Sequence, residues 1–123
     1  MDYRKYREPL LQEFLTITTS DEYRATPKRA PTYEEIIDVA RFLVSHEVFS
    51  KIYRNHSTAG TEEGKTSAAI IRHHVAKNYP EFRTDHRIRV AVKIAVRFIQ
   101  NKTDNIDSDD SHFLVSEYDR RGF

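Results

Sequence analysis

Arg83 to Lys102, RTDHRIRVAVKIAVRFIQNK, is the stretch whose reading decides the fold. It carries six basic residues (Arg83, Arg87, Arg89, Lys93, Arg97 and Lys102) and one acid, Asp85, a local charge of +5. Between Arg87 and Phe98 the even positions are Ile88, Val90, Val92, Ile94, Val96 and Phe98, and the odd ones are Arg87, Arg89, Ala91, Lys93, Ala95 and Arg97. Such a β-branched alternation is the pattern of a half-buried strand. A helix fits the same residues. Arg89, Lys93 and Arg97 are spaced by four and form one basic line, while Ile88, Ala91, Val92, Ala95 and Ile99 form the opposite face. The run is twelve residues, whereas about 5–6 is usual for a strand. The two alanines and a cap at Thr84 or Asp85 also favour the helix.

The stretch that follows, Asp104 to Asp119, holds six acids (Asp104, Asp107, Asp109, Asp110, Glu117, Asp119) and no Lys or Arg. The whole-chain charge of +1 therefore hides a +5 segment beside a −6 segment. Asn101 to Asp110 reads as a turn-rich acidic loop and Ser111-His112-Phe113-Leu114-Val115 as a short strand. Phe98-Ile99-Gln100 either ends the helix or begins a partner strand, and two such strands around the loop make a hairpin.

Working back toward the N-terminus, Tyr79-Pro80 ends a helix, because the residue before proline is pushed out of helical geometry. That helix is expected to start at a Thr66 or Ser67 cap and to turn Ile70, Ile71, His74 and Val75 inward. Residues 54–65 hold two of the three glycines and no apolar period, and read as a loop. Thr32 with Glu35 forms a capping box before an apolar stripe of Ile36, Ile37, Ala40, Leu43 and Val44. Phe49, Ile52 and Tyr53 either continue that helix or begin a second short one. Residues 18–32, with two prolines, four threonines and a serine, read as a linker. Residues 1–17 read as a short helix with a stripe of Tyr3, Tyr6, Leu10, Leu11, Phe14 and Ile17. Pro9 suits a first turn, which places the firm start near Glu8.

At 123 residues the chain is the size of one small domain with an arm. The expected division is an N-terminal helical arm and linker over 1–30, a domain over 31–118 and a frayed tail over 119–123. Hydrophobic residues make up 38% and charged residues 32%, with no apolar run long enough to span a bilayer and no signal-peptide pattern. We therefore expect no membrane association and an intracellular location, nuclear or cytoplasmic. The absence of cysteine excludes disulfides, thiolate metal sites and cysteine nucleophiles.

From Pro31 onward the chain resembles the globular domain of linker histones. PTYEEII is similar to that family's opening, and IIRHHVAKNYP resembles its second helix. HRIRVAVKIAVRFIQNKT resembles the third helix running into a strand, and SHFLV resembles the closing strand. The resemblance covers roughly residues 31–116. It implies a mainly α winged-helix-like fold, a three-helix bundle with a small β-hairpin, to which the N-terminal helix is added. It also implies that the third helix enters the major groove of duplex DNA, with Arg87, Arg89, Lys93 and Arg97 meeting phosphates or base edges. Arg83 and Lys102 flank that helix, and Arg72 and Lys77 on the second helix would meet the backbone. The wing of that family is Lys- and Gly-rich; here it reads DNIDSDD, which would repel a second DNA contact.

Other chemistries find little footing. His73 and His74 are adjacent, point about 100° apart on a helix and have no acid or histidine four residues away, so no metal site is expected. Asn105, Asp107 and Asp109 suggest a calcium loop, but Asp110 and Ser116 stand where that loop needs Gly and Glu. Gly60 to Ser67 is one residue short of a phosphate-binding loop and lacks the preceding strand. No catalytic constellation and no cofactor is expected. The partner is expected to be nucleic acid, DNA rather than RNA, in a chromatin, viral or regulatory complex. The rival expectation is a protein-interaction adaptor or homodimer built on residues 1–17 and the acidic loop.

Overall fold

The structure, a computed structural model, describes residues 2–55, 61–83 and 85–101. Six α-helices and one 3-10 turn account for most of them: α1 (Tyr3–Thr18), α2 (Asp21–Ala25), α3 (Tyr33–Ser45), α4 (Glu47–Asn55), α5 (Glu62–Asn78), the 3-10 turn Pro80–Phe82, and α6 (Ile88–Gln100). No strand occurs among the described residues.

The expected winged helix is corrected by this result. Phe98-Ile99-Gln100, read as a possible hairpin strand, is the last turn of α6, and Asn101 N–H still donates to the Arg97 carbonyl at 3.0 Å. A helix satisfies its own backbone groups and needs no partner strand. Ser111 to Val115, the expected second strand, lies outside the described residues, as does the acidic loop. The description of a three-helix bundle with a hairpin gives way to an all-helical arrangement of the described residues.

Those residues fall into two compact units, and each is built from stretches far apart in sequence. The first contains α1, α2, α5 and the 3-10 turn; the second contains α3, α4 and α6. The first helix is therefore a partner of α5, whereas the expected division had set residues 1–30 apart as an arm.

In the first unit α1 starts earlier than Pro9 suggested. The Asp2 carboxylate caps it by accepting from Arg4 N–H at 3.1 Å and Lys5 N–H at 3.3 Å. Pro9 then sits inside the helix. Both Pro9 and Lys5 are exposed, so water can reach the carbonyl that the proline leaves without an amide partner. Residues read as linker hold α2, capped by the Ser20 hydroxyl, which accepts from Tyr23 N–H at 3.2 Å. α5 begins four residues before Thr66, and the Thr66 and Ser67 hydroxyls, expected as caps, instead donate back to the Glu62 and Gly64 carbonyls. Arg7 on α1 lies opposite Glu62 and Thr66, and Glu13 opposite His73 and Lys77. The two helices thus run parallel, which requires the chain to return between them.

The second unit follows its sequence pattern closely. Thr32 and Glu35 form the capping box at 3.2 and 2.9 Å. Ile36, Ile37, Val39, Ala40 and Leu43 of α3 are buried, as are Val48, Phe49 and Ile52 of α4. Phe49 and Ile52 belong to a separate short helix, one of the two arrangements their spacing allowed. On α6 the buried set is Ile88, Val90, Ala91, Ile94, Ala95 and Ile99, which recurs with helical and not strand period. α6 packs on both α3 and α4, most extensively on α3.

Candidate nucleic-acid interface

The outward face of α6 is the part of the molecule that the charge pattern singled out. IRVAVKIAVRFIQ contains no acid. Its apolar face is locked into the core of the second unit, so its polar face has one direction in which to point. Arg89, Lys93 and Arg97 are all exposed on that face. Residues four apart are separated by about 6 Å along a helix axis, so the three cations form a ridge of about 12 Å. Arg97 lies in the last turn, where the negative end of the helix dipole favours a cation. None of the large apolar residues exposed among the described residues belongs to α6.

The remaining sequence-predicted site residues are dispersed. Arg87 is half-buried just before α6, and its backbone N–H donates to Asp85 Oδ1 at 2.8 Å. Arg83 is committed inside the first unit. Its guanidinium donates to the Tyr23 carbonyl and, at 2.7 Å, to the Thr26 carbonyl, and lies 3.9 Å from the centre of the Tyr23 ring. Arg72 and Lys77 are exposed on α5, also in the first unit, and Lys77 Nζ is 3.3 Å from Glu13 Oε1. Lys102 lies outside the described residues. The structure therefore brings Arg89, Lys93 and Arg97 onto one ridge and places Arg72, Lys77 and Arg83 in another unit.

Sequence reasoning overlooked two charged clusters between α1 and α5. Arg7, whose side chain is 12% exposed, places Nη2 2.7 Å from Glu62 Oε2 and donates from Nη1 to Thr66 Oγ1 at 3.3 Å. The Arg7 guanidinium, with help from Lys65, holds the Glu62 carboxyl below its ordinary range. In the other cluster His73 Nε2 lies 3.2 Å from Glu13 Oε2. The His73 ring and then Lys77 hold the Glu13 carboxyl low. Nothing local marks Arg7 or Glu13 as special; each acquires its role only when α1 meets α5.

Among the described residues no group of three or more His, Asp or Glu side chains is arranged to hold an ion. His74 instead meets Asn78, with Nδ1 3.1 Å from the amide nitrogen, and the edge of Tyr79. No helix among the described residues is long and apolar enough to cross a membrane. Compared with protein-family models, with curated proteins and with solved structures, the chain matches none.

Proposed function

We propose that the second unit binds nucleic acid, duplex DNA in the first instance, by laying the α6 ridge against the phosphate backbone. The observation that carries this is the exposed, acid-free line of Arg89, Lys93 and Arg97 on a helix whose other face is buried. A buried apolar face fixes the ridge in place, so little side-chain-bearing backbone has to be ordered on binding. Phosphate contacts of this kind supply affinity and orientation without base reading.

Salt dependence gives the test. Three phosphate contacts release counterions with a slope of log K against log salt of about −2.7, or roughly 40-fold weaker binding at 200 mM than at 50 mM salt. Titration of labelled duplex DNA by fluorescence anisotropy, on the full chain and on Arg89→Glu with Lys93→Glu, measures it. The double variant is expected to keep its helical circular dichroism and lose retention on DNA. A slope near zero, or equal binding by the variant, removes the proposal. The same titration with duplex RNA ranks the two nucleic acids.

A further inference from the structure

The α1–α5 pair carries a second surface of different chemistry. A groove of about 410 Å³ runs along it, floored by Leu11 of α1 and by Gly64, Ala68 and Ala69 of α5. Lys65 and Arg72 stand along its α5 side, and no acid lines it. Leu11 is 39% exposed and Leu15, one turn further along α1, is 61% exposed. α1 is 16 residues long and buries none of them fully, so its apolar surface is only partly covered by α5.

We propose that this groove seats an amphipathic helix of a partner protein, one that carries acidic side chains beside its apolar stripe. The floor suits a helix. Gly64, Ala68 and Ala69 have little or no side chain, so another backbone can approach closely, and Leu11 with Leu15 offers apolar contact at i and i+4 spacing. The charges suit an acidic one. Lys65 and Arg72 are separated by about 10 Å along the axis, which matches carboxylates at i and i+7 of the incoming helix. Arg7 is not available for this purpose, because its guanidinium is already held by Glu62 and Thr66. Glu62 is paired closely with Arg7 at 2.7 Å and only loosely, at an exposed position, with Lys65 at 3.6 Å, so Arg7, Lys65 and Arg72 stand against one carboxylate and the groove keeps a net positive charge. Nucleic acid is the poorer occupant, since a phosphate backbone gains nothing from Leu11 and Leu15. This surface is chemically unlike the α6 ridge, which exposes no large apolar residue.

The test uses the full chain and a fluorescein-labelled synthetic helical peptide with leucines at i, i+4 and i+7 flanked by glutamates. Its control is the same peptide with every glutamate replaced by lysine. Arg72→Glu and Leu15→Glu alter exposed positions, so circular dichroism is expected to be unchanged. Each is expected to weaken the acidic peptide at least about tenfold, as loss of one anchoring contact does. Amide shifts on peptide addition should cluster in α1 and α5, and Arg89→Glu with Lys93→Glu should leave peptide binding intact. The proposal is overturned if no acidic peptide binds, if the lysine peptide binds equally, or if both single variants are silent. It is also overturned if duplex DNA displaces the peptide through Arg72, which would make the groove a nucleic-acid surface. Light scattering that shows a dimer dissolved by Leu15→Glu would overturn it in favour of a second copy of the chain.

Discussion

His46 Nδ1 accepts the backbone N–H of Phe49 at 3.2 Å. The residue that ends α3 thereby caps the start of α4, doing with an imidazole what Ser or Asp usually does. Only an unprotonated Nδ1 can accept that bond.

Acid is therefore expected to loosen the second unit first. Burial pushes the His46 imidazole below its ordinary value of 6.5, against a smaller opposing pull from Glu47. The folded state thus takes up its proton less readily than the unfolded chain. The resulting stability is fully present above pH 6.5 and is lost as pH falls through the lower folded value. Thermal unfolding followed over this range should show a falling midpoint. His46→Asn, which accepts without titrating, should flatten this component, and His46→Ala should cost about 1 kcal/mol at neutral pH. A midpoint that does not respond to pH in the wild type refutes the cap.

A second acid step is expected lower down, in the first unit. Glu13 and Glu62 both have carboxyl groups held below the ordinary 4.5, by His73 with Lys77 and by Arg7 with Lys65 respectively. For a lowered carboxylate the stabilisation is present above 4.5 and disappears as pH falls through the folded value. Both carboxylates are exposed, so the effect is modest and salt-sensitive. Hydrogen exchange of α1 amides should accelerate below pH 4.5, and Glu13→Gln with Glu62→Gln should exchange at the faster rate already at neutral pH. Equal rates in the variant and the parent would refute the two charge contacts.

Arg83 has φ at 54°, the one positive value among the described non-glycine residues. A backbone there costs about 1–3 kcal/mol for a residue with a Cβ. The guanidinium offsets that cost by holding the Tyr23 and Thr26 carbonyls and covering the Tyr23 ring. Arg83→Ala should therefore destabilise the first unit, and Arg83→Gly should destabilise it less, because it removes the same contacts but relieves the backbone. Urea midpoints decide the order; Ala and Gly variants of equal stability would mean that the backbone there is unstrained. In the folded protein, Arg83→Lys is expected to leave DNA affinity unchanged.

For α6, each of Arg89→Ala, Lys93→Ala and Arg97→Ala should reduce the salt slope by about 0.9, while Arg72→Ala should leave it as it is. The opposite change is expected from Asp107→Asn with Asp109→Asn and Asp110→Asn. Those residues lie outside the described ones, and the expectation rests on charge alone. Removing three acids raises the net charge from +1 to +4 and should tighten DNA binding at low salt. Equal slopes across the α6 variants would count against the ridge.

Much of the second unit was legible in advance. The capping box at Thr32 and Glu35 and the α3 stripe each depend on neighbours within a turn or two, as does the Tyr79-Pro80 stop that ends α5 in the first unit. The helix over residues 87–99 was the harder case, because even-numbered Ile and Val match a strand equally well. Ala91 and Ala95 resolve it physically. Both are fully buried, and their small side chains let α6 lie close against the helices it packs on. Less was legible in the first unit. Pro9 lies inside α1, α2 occupies an expected linker and α5 starts early. In each case a short-range preference yielded to caps and packing that a local window does not contain.

By itself the sequence determined that Arg89, Lys93 and Arg97 share a face, because residues four apart do so on a helix and on a strand alike. Tertiary structure alone decided which line meets which: α1 beside α5, α6 beside α3 and α4, and Arg83 turned onto Tyr23. Those choices depend on the fit of surfaces formed by residues tens of positions apart, and such fit exists only once the helices are already built.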